Sequence, residues 1–157
     1  MVGKRNIMVK EKFFDKSKKI ALLVDPDKYT DKSLDFLLKN RYSESLDFIF
    51  VGGSLTTSSV DTLIDKIKKI SKTDVVLFPG NPLQVSFNAD AILFLSLISG
   101  RNPEFLIGNH VLTSVMVKNS GMEVIPTGYI LIDCGTITSV EYMSNTKPIP
   151  PTKADIV

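Results

Sequence analysis

Asp25-Pro26-Asp27-Lys28 places two carboxylates and an ammonium directly after the apolar run Ile20-Ala21-Leu22-Leu23-Val24. Five residues that bury well, followed at once by acids, read as a strand whose C-terminal end can hold a divalent cation. Three further apolar runs stop at turns of the same kind: Gly52-Gly53-Ser54, Pro79-Gly80-Asn81 and Ser99-Gly100-Arg101-Asn102. In a parallel barrel the side chains at strand C-termini converge, and such a rim would gather Asp25, Ser54, Asn81 and Arg101. One carboxylate and one hydroxyl, completed by waters and phosphate oxygens, suit Mg2+, a hard cation that keeps part of its water shell. Gly52 and Gly53 remove side chains where a backbone must approach a phosphate or turn sharply. Each element also has a plain structural reading. Glycine pairs serve packing, an aspartate at a strand end caps a helix, and Glu104 is at hand as a surface partner for Arg101. Asp27 is read as a cap for the turn into the next helix ahead of a second metal ligand. Lys28 is either a point charge for a phosphate or a solvated lysine.

Positioning these groups falls to five runs read as parallel strands: residues 20–24, 47–51, 74–78, 91–98 and 129–132, the last approached from Val124. They are continuous rather than alternating, which predicts burial on both faces. Helical patterns lie between them. Residues 33–40 carry Leu34, Leu37 and Leu38; residues 58–70 carry Val60, Leu63, Ile64, Ile67 and Ile70 behind a Ser58 or Ser59 cap. Residues 110–119 form a third, stopped by Ser120-Gly121. Residues 81–90 have room for a loop or a single turn, not for a crossover helix. The tail from Thr136 holds Pro148, Pro150 and Pro151 and reads as irregular, with a helix starting near Thr152. His110, the sole histidine, sits at a helix start.

Residues 1–157 read as one domain with a sizeable core. The formal net charge is +2, and no basic stripe interleaves with aromatics, so nucleic acid is not an expected partner. One cysteine, Cys134, leaves no intramolecular disulfide and fits a reducing cytoplasm. With a single histidine and a single cysteine the usual zinc sites are out of reach. The longest apolar run, residues 91–98, is far below the roughly 20 residues that span a bilayer.

Two α/β architectures compete for this alternation. A doubly wound sheet needs only five strands, whereas a (β/α)8 barrel needs eight. The turns decide between them. Leu23-Val24-Asp25-Pro26-Asp27-Lys28, Phe50-Val51-Gly52-Gly53-Ser54, Leu77-Phe78-Pro79-Gly80-Asn81, Ser96 through Asn102, and Ile125 through Leu131 occur in one order. With the late stretch Met143 through Pro150, they resemble the geranylgeranylglyceryl phosphate synthase family from about Ile20 onward.

The resemblance implies a prenyltransferase on a TIM barrel. It joins a polyprenyl diphosphate to sn-glycerol 1-phosphate through an ether bond, with Mg2+ steadying the diphosphate. Asp25 and Ser54 would be the metal ligands. Lys28, Gly52, Gly53, Asn81, Arg101 and Tyr129 would contact substrate, and Tyr129, Ile130 and Leu131 could line a groove for the prenyl chain. Family likeness also implies a homo-oligomer and contact with a membrane surface through a lipid product. The family's Tyr-Leu-Glu-Ala-Gly-Ser-Gly segment and later Gly-Gly-Gly turn, which form the glycerol-phosphate site and supply a catalytic glutamate, do not occur among these residues. The expectation is therefore the first five strands of a barrel, a truncated and inactive form. The rival expectation is a self-contained doubly wound domain that binds a phosphorylated ligand without chemistry.

Overall fold

A computed structural model describes residues 8–156, which form one parallel sheet with helices against it. The strands are β1 (Ala21–Val24), β2 (Phe48–Val51), β3 (Asp74–Leu77), β4 (Ala91–Leu97) and β5 (Glu123–Tyr129). They lie in the order β1-β2-β3-β4-β5, every neighbouring pair parallel. This order decides the architecture. A doubly wound sheet reverses direction at a switch point, while a barrel adds each strand on the same side of the last. The sequential order is that of a barrel wall.

The helices are α1 (Val9–Phe14), α2 (Asp31–Lys39), α3 (Val60–Ile70), α4 (Asn109–Ser120) and α5 (Ser139–Ser144). Thr30 and Ser33 form a capping box for α2. Ser59 caps α3 through the Thr62 N–H, and Gly121 ends α4 in the left-handed conformation. Residues 81–90 hold only the 3-10 turn Pro82–Gln84, so no helix crosses between β3 and β4.

Alternate residues of the strands feed two cores. Ile49, Val51, Val75, Leu77 and Ile92 face the helices, with Leu34, Leu63, Ile64 and Ile67 packed on them. Phe48, Val76, Ala91, Leu93 and Ile125 face the barrel interior. Burial on both faces holds for β2 and β3 but not for the outer strands: Leu23 of β1 is 51% exposed and Pro126 of β5 is exposed. Each outer strand is paired on one side only among the described residues.

Three elements differ from the sequence reading. The last strand begins at Glu123 and stops at Tyr129, rather than starting there. Pro126 and Gly128 look like breakers, but the strand hydrogen-bonds to β4 along one edge only, where a proline is tolerated. Inside the tail, Thr138 accepts from the Glu141 N–H and starts α5, a Thr-x-x-Glu signature that the prolines overshadowed. The helical start expected near Thr152 is present, as the 3-10 segment Pro151–Ile156.

The third is α1, which closes the N-terminal end of the interior. Val9 and Phe13 join the interior core. Glu123 accepts from the Val9 and Lys10 N–H groups, each at 2.8 Å, and Lys12 reaches the Asp47 carbonyl and the Asp74 carboxylate. Glu123→Ala strips both acceptors from the start of α1. It is expected to cost about 1–3 kcal/mol, read as a lower urea midpoint at unchanged slope. A midpoint equal to wild type would mean that Val9, Phe13 and the Lys12 bonds hold α1 without Glu123.

Candidate functional site

At the C-terminal ends of β1, β2 and β3 the turns touch backbone to backbone. A Cβ on Gly53 would stand 3.0 Å from Cγ and Oδ1 of Asp25. A Cβ on Gly80 would overlap the Gly53 carbonyl and come within 2.9 Å of Ser54 Cα. One on Gly52 would overlap the Phe78 carbonyl group. The glycines are therefore required by the contact of one turn with the next. Their N–H groups are already in use: Gly52 donates to the Val24 carbonyl, and Gly53 and Gly80 both donate to Gln84 Oε1. Of the two reasons for glycine here, close turn packing is the one the structure displays.

Asp25 is held in place. Its Oδ1 accepts from the Asp27 N–H at 3.1 Å, and its Oδ2 pairs with Lys28 Nζ at 3.0 Å. The carboxylate is 17% exposed while Lys28 is 79% exposed, so the ammonium reaches in from solvent to a half-hidden acid. Ser54 lies across Gly53 from it, and its hydroxyl accepts from Ser139 of α5 at 3.3 Å. Asp27 does not face this pair. Its carboxylate takes the Thr57 and Ser58 N–H groups at 2.8 Å each, tying the first turn to the second just before α3. Hydrogen bonds from Ser58 and then Thr57 hold its acid down at about 2. A depressed folded value keeps this clasp ionised through the ordinary carboxylate range; its stabilisation is full above that range and is lost as pH falls from there through about 2.

Among the described residues no three His, Cys, Asp or Glu side chains converge as metal ligands. Asp25 and Ser54 still fit a Mg2+ ion: one carboxylate and one hydroxyl, on adjoining turns, leave the other positions to water and phosphate oxygens. Lys28 already places a positive charge against Asp25 Oδ2.

Beside these turns opens a cavity of about 210 Å3. Gly52, Gly53, Ser54, Gly80 and Asn81 form its rim end. The rest of its lining is largely apolar: Phe78, Val85, Phe94, Phe105 and Tyr129, with His110 and Thr113. The space exists because no crossover helix follows β3. Val140 and Met143 of α5 roof it. Phe78 and Tyr129 meet edge to face at 5.9 Å, the top of an aromatic column that descends through Phe50 and Phe48 to Phe13. Burial pushes the Tyr129 phenol up.

The sequence-predicted residues thus divide. Gly52, Gly53, Ser54, Asn81 and Tyr129 line one cavity, and Asp25 stands against its Gly53 edge with Lys28 paired to it. Asn81 also caps the following turn through the Leu83 N–H at 2.9 Å. Arg101 is elsewhere, in a separate surface hollow with Asn102, Asn145 and Lys147. Ile130 and Leu131 do not line the cavity. His110 is at the start of α4 as expected, and it is also a wall: its ring stacks on Phe94 at 4.3 Å, and Nε2 bonds the Leu95 carbonyl at 2.7 Å. Gln84 and Phe105 gave no signal in sequence, one being a polar loop residue and the other an aromatic ahead of a helix.

Residues 12–157 match the PcrB family. The chain belongs to that family. It is 52% identical over 140 residues to a geranylgeranylglyceryl phosphate synthase of Chitinophaga pinensis, covering 88% of this chain and 56% of that one. To the protein of the same name from Korarchaeum cryptofilum it is 36% identical over 138 residues, 87% of this chain and 57% of the other. A crystal structure of (S)-3-O-geranylgeranylglyceryl phosphate synthase from Thermoplasma acidophilum, in complex with substrate sn-glycerol-1-phosphate, superposes with a TM-score of 0.78 at 29% identity, over 91% of this chain and 57% of that chain. The chain therefore spans a little over half the length of the relatives it matches. The motif resemblance holds, and so does the barrel reading: five parallel strands that correspond to part of the relatives' fold.

Proposed function

We propose that these residues supply the diphosphate side of a Mg2+-dependent prenyltransferase that joins a polyprenyl diphosphate to sn-glycerol 1-phosphate. The observation that carries the reading is the shape of the cavity. It has a polar rim with a held carboxylate at one end, and it runs as an apolar passage into the gap beside β4. A diphosphate with an apolar tail has that division. The relatives' printed names specify the geranylgeranyl group and glycerol phosphate.

In this reaction the bond between prenyl C1 and the diphosphate oxygen breaks, and diphosphate leaves with the electron pair. The glycerol hydroxyl oxygen bonds C1 and its proton passes to water. Mg2+, when bound, neutralises charge growing on the departing diphosphate. Asp25 and Ser54 would hold it, and Lys28 would stay within reach of the same oxygens. Phe78, Tyr129, Val140 and Met143 keep water from the allylic carbon as positive charge develops. For these residues the proposal is binding of the diphosphate partner. Cytoplasmic placement, homo-oligomer formation and membrane contact through the lipid product belong to the same proposal. Among the described residues no helix is long and apolar enough to cross a membrane.

Phe105→Ala tests the apolar passage. Removing a phenyl wall is expected to cost about 1–2 kcal/mol of prenyl burial, roughly tenfold in affinity for geranylgeranyl diphosphate. Affinity for inorganic pyrophosphate with Mg2+ should not move. Equal losses for both ligands would place the tail elsewhere.

A further inference from the structure

We infer that Gln84 is a positioning residue for the metal and diphosphate rim, a strut that sets the second turn against the third. The inference rests on the reading of Asp25 and Ser54 given above. Gln84 is 3% exposed and belongs to the 3-10 turn that replaces a crossover helix. Its amide is fully engaged. Oε1 accepts from the Gly53 N–H at 3.3 Å and from the Gly80 N–H at 3.1 Å. Nε2 donates to the Gly53 carbonyl at 2.6 Å and to Thr56 Oγ1 at 2.9 Å.

Two acceptances and two donations exhaust what a primary amide offers inside a protein. They are divided between two turns that follow different strands. Gly53 is gripped at both its N–H and its carbonyl, and it is the residue that separates Asp25 from Ser54. Gly53 also touches Gly80 with no side chain between them. A shift of this amide therefore moves the Ser54 hydroxyl relative to the Asp25 carboxylate, although Gln84 touches neither. Bonded to the backbone of Gly53 and Gly80 rather than to Asp25 or Ser54, it acts in the manner of an outer-shell ligand support.

No other side chain type of this size does the same. Glutamate keeps both acceptors, loses both donors and buries a negative charge beside Asp25. Methionine keeps the volume, leaves the Gly53 and Gly80 N–H groups without partners, and leaves the Gly53 carbonyl only the 3.3 Å bond from Thr56 Oγ1. Either change alters spacing at the rim while the apolar passage beside β4 stays intact.

The test is calorimetric titration of the chain with inorganic pyrophosphate at several Mg2+ concentrations. Wild type, Gln84→Met, Gln84→Glu, Asp25→Asn and a core control, Ile64→Val, are compared, with thermal melts of each. The expected result is a loss of about 10–100-fold for both Gln84 variants, with Ile64→Val at wild-type affinity whatever its melting temperature. Asp25→Asn should lose binding as well. If Asp25→Asn binds poorly and the Gln84 variants bind like wild type, the strut is overturned and the metal reading stands. If the wild type shows no Mg2+-dependent binding, or Asp25→Asn binds as the wild type does, the metal reading fails and the strut goes with it. Should the Gln84 variants not fold, amide exchange in wild type decides: Gly53 and Gly80 N–H must be protected relative to the neighbouring loop, and unprotected amides would refute the strut.

Discussion

An Asp25→Asn chain is expected to lose Mg2+-dependent binding of inorganic pyrophosphate by at least about 100-fold, beyond the range typical of outer-shell changes. The substitution is nearly isosteric. It keeps the Oδ1 position that accepts the Asp27 N–H and leaves the contact with Gly53 in place. What it removes is the single formal charge on a donor set of one carboxylate and one hydroxyl. A hard dication binds such a set through charge, and an amide oxygen is a far weaker substitute. Lys28 makes the loss sharper. With Asp25 ionised the Lys28 ammonium is balanced at 3.0 Å; with asparagine there, it repels an incoming cation. Stability should change little, because the side chain is near the surface and its remaining contacts survive. The pair of measurements matters: unchanged melting with abolished metal dependence identifies a ligand, whereas parallel loss of both identifies a structural cap.

Gly80→Ala is expected to produce the second large effect, this time on the fold. A methyl group at Gly80 would occupy the space of the Gly53 carbonyl and approach Ser54 Cα to 2.9 Å. Both neighbours are backbone, so no rotamer change relieves the clash. Overpacking of this kind costs about 1–3 kcal/mol, and the Gln84 bonds to Gly53 and Gly80 stand in the way of relaxation. The urea midpoint should fall accordingly. Gly121→Ala is the contrast: nothing lies within 4 Å of a Cβ there, and the cost comes from a φ of +74° alone. A Gly80→Ala midpoint within error of wild type would mean that the turns are not in contact.

The parts of this site that were legible in sequence are those set by a strand's end. Asp25, Gly52, Gly53, Ser54 and Asn81 follow apolar runs directly, and parallel strands leave their C-terminal residues on one rim. Arg101 stands as far past the end of β4 as Asn81 does past β3, and yet it faces a different hollow, with Asn102, Asn145 and Lys147. Gln84 was illegible for a physical reason. Its partners are backbone atoms of Gly53 and Gly80, and backbone partners leave no mark on residue types or spacing. Helix α5 was hidden by the prolines around it, although Thr138 and Glu141 carried its cap signal. The start of β5 was hidden by Pro126 and Gly128, residues that an edge strand tolerates and a central strand does not.

The turn motifs pointed to a barrel, but the apolar runs alone leave the fold open, because a sequence does not display the order of strands in the sheet. Five apolar runs fit a doubly wound domain and a barrel wall equally well in length and composition. The order β1-β2-β3-β4-β5 separates them. The gap left by the missing crossover helix was visible as a short connection, residues 81–90, and it became the apolar passage.

The central claim is that Asp25 and Ser54 hold a metal for a prenyl diphosphate whose tail lies along β4. Calorimetric titration of the 157-residue chain with geranylgeranyl diphosphate, with Mg2+ and with EDTA in its place, tests it most directly. The account predicts one saturable site that needs Mg2+, is lost in Asp25→Asn, and is weakened about tenfold in Phe105→Ala. Binding that is the same in EDTA, or the same in Asp25→Asn, would contradict it.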